Sequence, residues 1–85
     1  LAAPKILFYC KPFCPWCRAV KSFLDSSGLS YEYLDVIKDK KLFEEMVKKT
    51  GQEAAPCVEI DGHMLADTDA SAVEAYMREK GLLKG

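Results

Sequence analysis

The spacing of apolar and polar positions changes several times along the chain, and each change marks an element. Ile6-Leu7-Phe8-Tyr9 is an unbroken apolar run of strand formers. Such a run, with no polar alternation, predicts a strand buried on both faces. Lys11-Pro12-Phe13 reads as a loop. From Pro15 a helical period begins, with Cys17, Val20, Phe23 and Leu24 on one face, and Gly28 follows as a natural stop. Tyr31 to Val36 is the second strand. Asp39 can cap a second helix through Leu42, Phe43, Met46 and Val47, closed by Gly51. Val58 and Ile60 alternate with Glu59, and Asp61-Gly62 is a strong two-residue hairpin turn, so His63 to Leu65 is the return strand. The last helix carries Val73, Tyr76 and Met77 on one face and ends at Gly81. Its start is open: Thr68 or Asp69 can cap it, and Ser71 with Glu74 has the spacing of a capping box.

The element order is therefore β-α-β-α-β-β-α. A first β-α-β unit requires a parallel pair joined by a right-handed crossover, and the last two strands make an antiparallel hairpin. The expected fold class is α/β, a mixed four-stranded sheet with helices on both faces. Phe43, Met46, Val73, Tyr76 and Met77 are expected in the core. The charged run from Lys38 to Lys49 reads as the solvated face of its helix.

Length and charge narrow the functional classes. The chain has 85 residues, of which 49% are hydrophobic, enough for one small core and one domain over residues 1–85. Twelve basic against 13 acidic residues leave a formal net charge of −1. That balance lacks the basic stripe of a nucleic-acid binder. No apolar run reaches the roughly 20 residues needed to cross a bilayer, and no polybasic amphipathic stretch suits a membrane surface. A monomer with no nucleic-acid and no membrane partner is expected. The sequence opens on Leu1-Ala2-Ala3 without methionine, which reads as a trimmed or engineered start. The cytoplasm is the expected compartment, with an organelle or a removed targeting segment as the alternative.

The four cysteines carry the chemistry. They stand at positions 10, 14, 17 and 57, three of them within eight residues. A structural disulfide framework spreads its cysteines to close long loops, where the entropic gain lies. This clustering instead marks Cys14-Pro15-Trp16-Cys17 at a strand-to-helix junction. Proline suits the first helical position, because its missing N–H would be unpaired there in any case. Cys14 then occupies the N-cap, with its sulfur toward the free amides of the first turn, and Cys17 follows one turn later. Residues three apart at a helix start can bring two sulfurs into disulfide range.

A free thiol, with a pKa of about 8.5, is only a few per cent thiolate at neutral pH. A helix dipole contributes roughly 0.3–2 kcal/mol, or about one pKa unit. Direct amide hydrogen bonds and the Lys11 charge must therefore add to it, and a Cys14 pKa well below that of a free thiol is expected. Cys17, on the apolar helix face, is expected to be less exposed, higher in pKa and second to act. Zinc is the competing reading of a C-x-x-C pair, with Cys57 and His63 able to complete a site on paper. Structural zinc pairs usually sit on turns, however, and no metal is assigned. His63, after the hairpin turn, reads as a solvated strand residue. Cys10 and Cys57 read as small buried apolar residues, with a regulatory or glutathionylated role as the alternative.

Phe8-Tyr9-Cys10-Lys11-Pro12-Phe13-Cys14-Pro15-Trp16-Cys17, then Thr50-Gly51-Gln52, Ala55-Pro56 and Ile60-Asp61-Gly62 together resemble the glutaredoxins. The family pattern is Y-T-K-x-x-C-P-Y-C, T-G-Q, T-V-P and I-D-G-x-x-x-G-G, and the likeness runs from about Lys5 to Lys80. It implies the thioredoxin-like (glutaredoxin) fold and a cis peptide before Pro56. It also implies Cys14 as nucleophile, Cys17 as resolving thiol, and Lys11 and Gln52 facing the glycyl carboxylate of glutathione. By the same likeness the backbone of Ala55 would pair with the cysteinyl part, and Asp67-Thr68-Asp69 would sit at the γ-glutamyl end. Phe13 reads as an apolar rim or a cover for the helix start, and Trp16 as packing beside the site or recognising a ligand.

The departures concern the glutathione end of the site. Ala55 replaces valine, Cys10 stands where threonine is common, and the glycine pair reads Ala66-Asp67. Ala70 replaces an acidic residue. The stretch Asp69 to Met77 is similar to the N-terminal domain of glutathione transferases, where an acidic residue at the helix start meets the γ-glutamyl group, which favours Asp69.

The resemblance implies a thiol–disulfide oxidoreductase, with glutathione as co-substrate and no tightly bound cofactor. It would reduce protein disulfides and glutathionylated proteins, at a potential of roughly −200 to −230 mV. Two alternatives stand beside it: a redoxin reduced by thioredoxin reductase, and a carrier of a metal or iron–sulfur cluster bridged between two chains.

Overall fold

A computed structural model describes residues 4–83, so the reading of Leu1-Ala2-Ala3 lies outside the described residues. The chain runs β1 (Ile6–Cys10), α1 (Pro15–Ser27), β2 (Glu32–Asp35), α2 (Lys40–Thr50), β3 (Cys57–Ile60), β4 (His63–Leu65) and α3 (Ala70–Glu79). The order in the sheet is β2-β1-β3-β4. β1 pairs in parallel with β2 and antiparallel with β3, placing Tyr9 beside both Leu34 and Cys57. β3 and β4 close the antiparallel hairpin around Asp61-Gly62.

β1 is central, and all five of its residues are buried. Its alternation divides the core into two layers. Ile6, Phe8 and Cys10 pack with Val58 and Ile60 of β3 against Cys17, Val20 and Leu24 of α1 and Val73 and Met77 of α3. Leu7 and Tyr9 point the other way, toward Val36, Cys57 and Met46 of α2. The continuous apolar run is thus explained: helices cover both faces of this strand. Tyr9 meets a polar requirement within the second layer. Its hydroxyl donates to Glu45 and accepts from Lys49 Nζ at 3.0 Å, and Lys49 also pairs with Glu59 at 3.2 Å. These contacts fasten the C-terminal half of α2 to the sheet.

The capping signals resolve clearly. The Asp39 carboxylate accepts from the Lys41 amide at 2.9 Å, and Gly28 and Gly51 end α1 and α2 in the left-handed region. Asp69 caps α3, accepting from the Ala72 amide at 2.8 Å, so neither Thr68 nor the Ser71–Glu74 pair sets its start.

Three expectations are corrected. β2 is shorter than Tyr31 to Val36, because the Asp35 carboxylate takes the amides of both Ile37 and Lys38 at 2.9 Å and turns the chain away. Phe43 and Tyr76 are half-buried rather than core residues. Tyr76 stacks flat on His63, with ring centroids 4.6 Å apart, so the exposed His63 ring is partnered rather than simply solvated.

Met46 is the one fully buried side chain of α2. Replacing it with alanine removes that anchor and leaves a cavity. We expect Met46→Ala to lower unfolding stability by about 2–5 kcal/mol in urea titration. Lys48→Ala, on the solvated face of the same helix, should stay within about 0.5 kcal/mol of the parent.

Candidate active site

The site forms where the buried strand β1 turns into α1. After Cys10 the chain makes a tight loop, closed by the Cys14 amide donating to the Lys11 carbonyl at 2.9 Å. Cys14 is the extended N-cap residue, Pro15 opens the helix, and the Arg18 amide bonds the Cys14 carbonyl at 3.0 Å as the first helical hydrogen bond. Pro15 cannot donate, so the amides of Trp16 and Cys17 remain as the free donors at this end.

The two sulfurs therefore meet different surroundings. Cys14 is partly exposed, whereas Cys17 is 2% exposed. Partial desolvation works against ionising Cys14. The Cys17 and Trp16 amides, the Cys17 thiol and the Lys11 charge outweigh it and bring its pKa below the ordinary thiol value. The neutral thiol makes no conventional capping hydrogen bond. It is the thiolate that the amides favour. Burial, opposed by the Lys11 amide, which donates to Cys17 Sγ at 3.3 Å, pushes the Cys17 thiol up to about 12, and the negative charge of Cys14 adds to the rise. The pair divides into an accessible sulfur ready to attack and a shielded sulfur held in reserve.

A groove of about 170 Å³ is lined by Trp16, two residues after Cys14, together with Ala55, Pro56, Asp67, Thr68 and Asp69. These residues come from three separate parts of the chain. The Ala55-Pro56 peptide is cis, and the Thr68 amide donates to the Pro56 carbonyl at 2.9 Å, tying the loop before α3 to the residue after that bond. Of the contact residues expected from the sequence, six line this groove.

Lys11, Phe13 and Gln52 do not line it. Lys11 acts on Cys14 through its charge. Gln52 is exposed, with its backbone held by the Thr50 hydroxyl, which accepts from the Gln52 amide at 3.2 Å. Phe13 and Trp16 are 66% and 65% exposed, so both stand out as apolar rims instead of covering the helix start or packing down.

Asp67 has φ +48, a left-handed conformation in which a non-glycine residue is uncommon. The departure from the family's glycine thus keeps the glycine-type backbone and adds a carboxylate to the groove. Asp69 contributes a second carboxylate while capping α3.

Among the described residues, no group of three or more His, Cys, Asp or Glu side chains is arranged to hold a metal ion. The set drawn on paper from the Cys14/Cys17 pair, Cys57 and His63 is divided by the sheet. Cys57 belongs to the α2 layer, whereas His63 stacks on Tyr76, which packs on the α1 and α3 layer. Sequence reading missed a second cavity, of about 220 Å³, lined by Cys10, Pro12, Cys17, Arg18, Lys21 and Tyr33. The alternation of β1 was the available signal, since it sends Cys10 to the same face as Phe8, toward α1.

Comparison with known proteins identifies the family. The Glutaredoxin family model matches residues 6–65. Glutaredoxin 3 of Escherichia coli K12 is 33% identical over 61 residues, covering 72% of this chain and 74% of that protein. The thioredoxin-like protein BC3987 superposes with a TM-score of 0.75 at 31% identity, over 82% of this chain and 96% of that one. A glutathione transferase homologue from Drosophila mojavensis, solved with bound glutathione, gives 0.72 at 31% identity, over 93% of this chain but 36% of that one. The fold is thus the thioredoxin-like one of its structural neighbours, and the chain belongs to the glutaredoxin family of thiol–disulfide oxidoreductases.

Proposed function

We propose that this chain is a glutathione-linked oxidoreductase that reduces protein disulfides and protein–glutathione mixed disulfides through Cys14 and Cys17. The observation that carries this reading is the contrast between a partly exposed Cys14 of lowered pKa and a buried Cys17 of raised pKa, one helical turn apart. Cys14 thiolate attacks a disulfide sulfur of the target. One thiolate leaves, and Cys14 is held in a mixed disulfide. Its negative charge is now gone, and with it one of the causes that keep the Cys17 proton in place. Cys17 then loses its proton more readily, attacks Cys14 Sγ and releases the second target thiolate, leaving Cys14–Cys17 oxidised. In the monothiol route a glutathione thiolate does the same work in place of Cys17. The electrostatic coupling thus gives the two thiols an order of action.

On this reading glutathione would lie along the groove. The Ala55 backbone beside the cis peptide offers an edge for the cysteinyl part, in the manner of an added strand. By the family pattern, the start of α3 with Thr68 and Asp69 would meet the γ-glutamyl end, and Lys11 and Gln52 would face the glycyl carboxylate. The similarity to a glutathione transferase homologue solved with glutathione supports the choice of ligand. One observation favours a second reading, reduction by thioredoxin reductase: the Asp67 carboxylate occupies the groove where the family pattern has glycine. Turnover with glutathione and glutathione reductase, compared with thioredoxin reductase, decides between the two donors.

Two outcomes are expected. Cys14→Ser abolishes turnover on every disulfide substrate, whereas Cys17→Ser keeps deglutathionylation and loses the dithiol reduction of proteins. Equal loss in both variants refutes the monothiol branch. Separately, the rate of iodoacetamide inactivation should titrate with a midpoint below the roughly 8.5 of a free thiol. The folded site lowers the Cys14 pKa, so reactivity should already be present at neutral pH and fall as acid protonates the thiolate. Lys11→Gln should move that midpoint upward, since it removes a stabilising cation; an unchanged midpoint would show that the amides act alone.

A further inference from the structure

Cys10 has no part in the chemistry described so far, yet its surroundings differ from an ordinary apolar niche. It ends β1 on the sheet face that packs α1, in the same layer as Cys17. Both line the cavity of about 220 Å³ that opens between Pro12, Arg18, Lys21 and Tyr33. Cys17 Sγ rests 3.3 Å from the amide nitrogen of Lys11, the peptide immediately after Cys10. Tyr33, on the edge strand β2, lines the same cavity as Cys10 and brings its phenol to that space. Lys21 Nζ lies 5.8 Å from the centre of the Tyr33 ring while also pairing with Asp25 at 2.9 Å. Burial raises the Cys10 pKa, and Asp35 adds to the rise; the phenol and the ammonium work against both. A purely structural thiol requires neither a cavity shared with a second thiol nor a phenol and a cation lining it.

We infer that Cys10 is a third redox thiol of this centre, which takes over the disulfide from Cys14–Cys17 and holds it as Cys10–Cys17. The inference rests on the dithiol reading of Cys14 and Cys17. Cys10 gives its proton to water through the cavity beside Tyr33, and its thiolate attacks Cys17 Sγ. The Cys10–Cys17 bond forms, the Cys14–Cys17 bond breaks, and the electron pair departs on the Cys14 sulfur. No external oxidant or reductant enters, because one disulfide replaces another. The direction follows from leaving-group chemistry: the thiol of lowest pKa leaves fastest, and here that thiol is Cys14. The product is a chain with its nucleophile free and its resolving thiol occupied. Such a chain works only by the monothiol route, so the exchange switches the protein between its two modes.

Disulfide mapping tests this without reference to glutathione turnover. Cys14→Ser leaves a favourable N-cap residue at the helix start, so the variant should fold. Treated with diamide, which accepts the two hydrogens, it should become two hydrogens lighter as a monomer. Free thiols blocked under acid, followed by reduction and a second label, should place the second label on Cys10 and Cys17. An unchanged mass, a disulfide-linked dimer as sole product, or a bond to Cys57 overturns the inference. The oxidised wild-type chain supplies the second arm. It should contain molecules with Cys14 free and Cys10 oxidised. A Cys14–Cys17 bond with Cys10 always free overturns the third-thiol inference and leaves the proposed function standing. Absence of any intramolecular disulfide at Cys17, to Cys14 or to Cys10, overturns both.

Discussion

The chemistry depends on one junction, the direct passage of the central strand β1 into the first turn of α1. A fully buried strand cannot shift, so the loop after it holds the helix start in a fixed place. Cys14 caps that start without being part of the helix. Its sulfur faces amides that have no partner within the helix, while the next turn carries Cys17 into the core. Moved by one residue, the second sulfur would leave the core, since positions 16 and 18 are both exposed.

Separation of the two thiols also creates their coupling. A buried thiol next to an anion holds its proton tightly, and the same thiol next to a neutral sulfur does so less tightly. In the proposed mechanism the charge on Cys14 serves twice, first in attack and afterwards, by its disappearance, in readying Cys17. The central strand extends this logic to Cys10, whose alternation places a further thiol on the same packed layer.

Around this centre the protein presents surfaces of different character. Phe13 and Trp16 stand exposed as apolar rims, and Asp67 and Asp69 bring two carboxylates to the groove that Trp16 also borders. A ligand that fills the groove must satisfy both features. In the proposed pose a tripeptide would meet the backbone edge of Ala55 and the start of α3. A protein segment would meet the aromatic rims as well. At Asp67 the backbone takes a left-handed conformation that glycine adopts most easily.

Local signals were enough for much of this protein. The unbroken apolar run foretold a strand covered on both sides, the glycines marked where helices end, and the Asp61-Gly62 pair marked the hairpin. Each reflects short-range sterics or hydrogen bonding that the residues carry wherever they are placed. The Cys14-Pro15-Trp16-Cys17 spacing, likewise, foretold one outward and one inward thiol, because a proline at a helix start defines the turn. What required tertiary structure was every feature formed by residues distant in sequence. The choice of Asp69 over Thr68 and Ser71 as cap, the half-burial of Phe43 and Tyr76, and the assembly of Trp16, Ala55 and Asp69 around one groove depend on how three segments pack. So does the meeting of Cys10 with Tyr33 and Lys21, for a strand's period states which face a side chain takes but not what the opposing element brings to it.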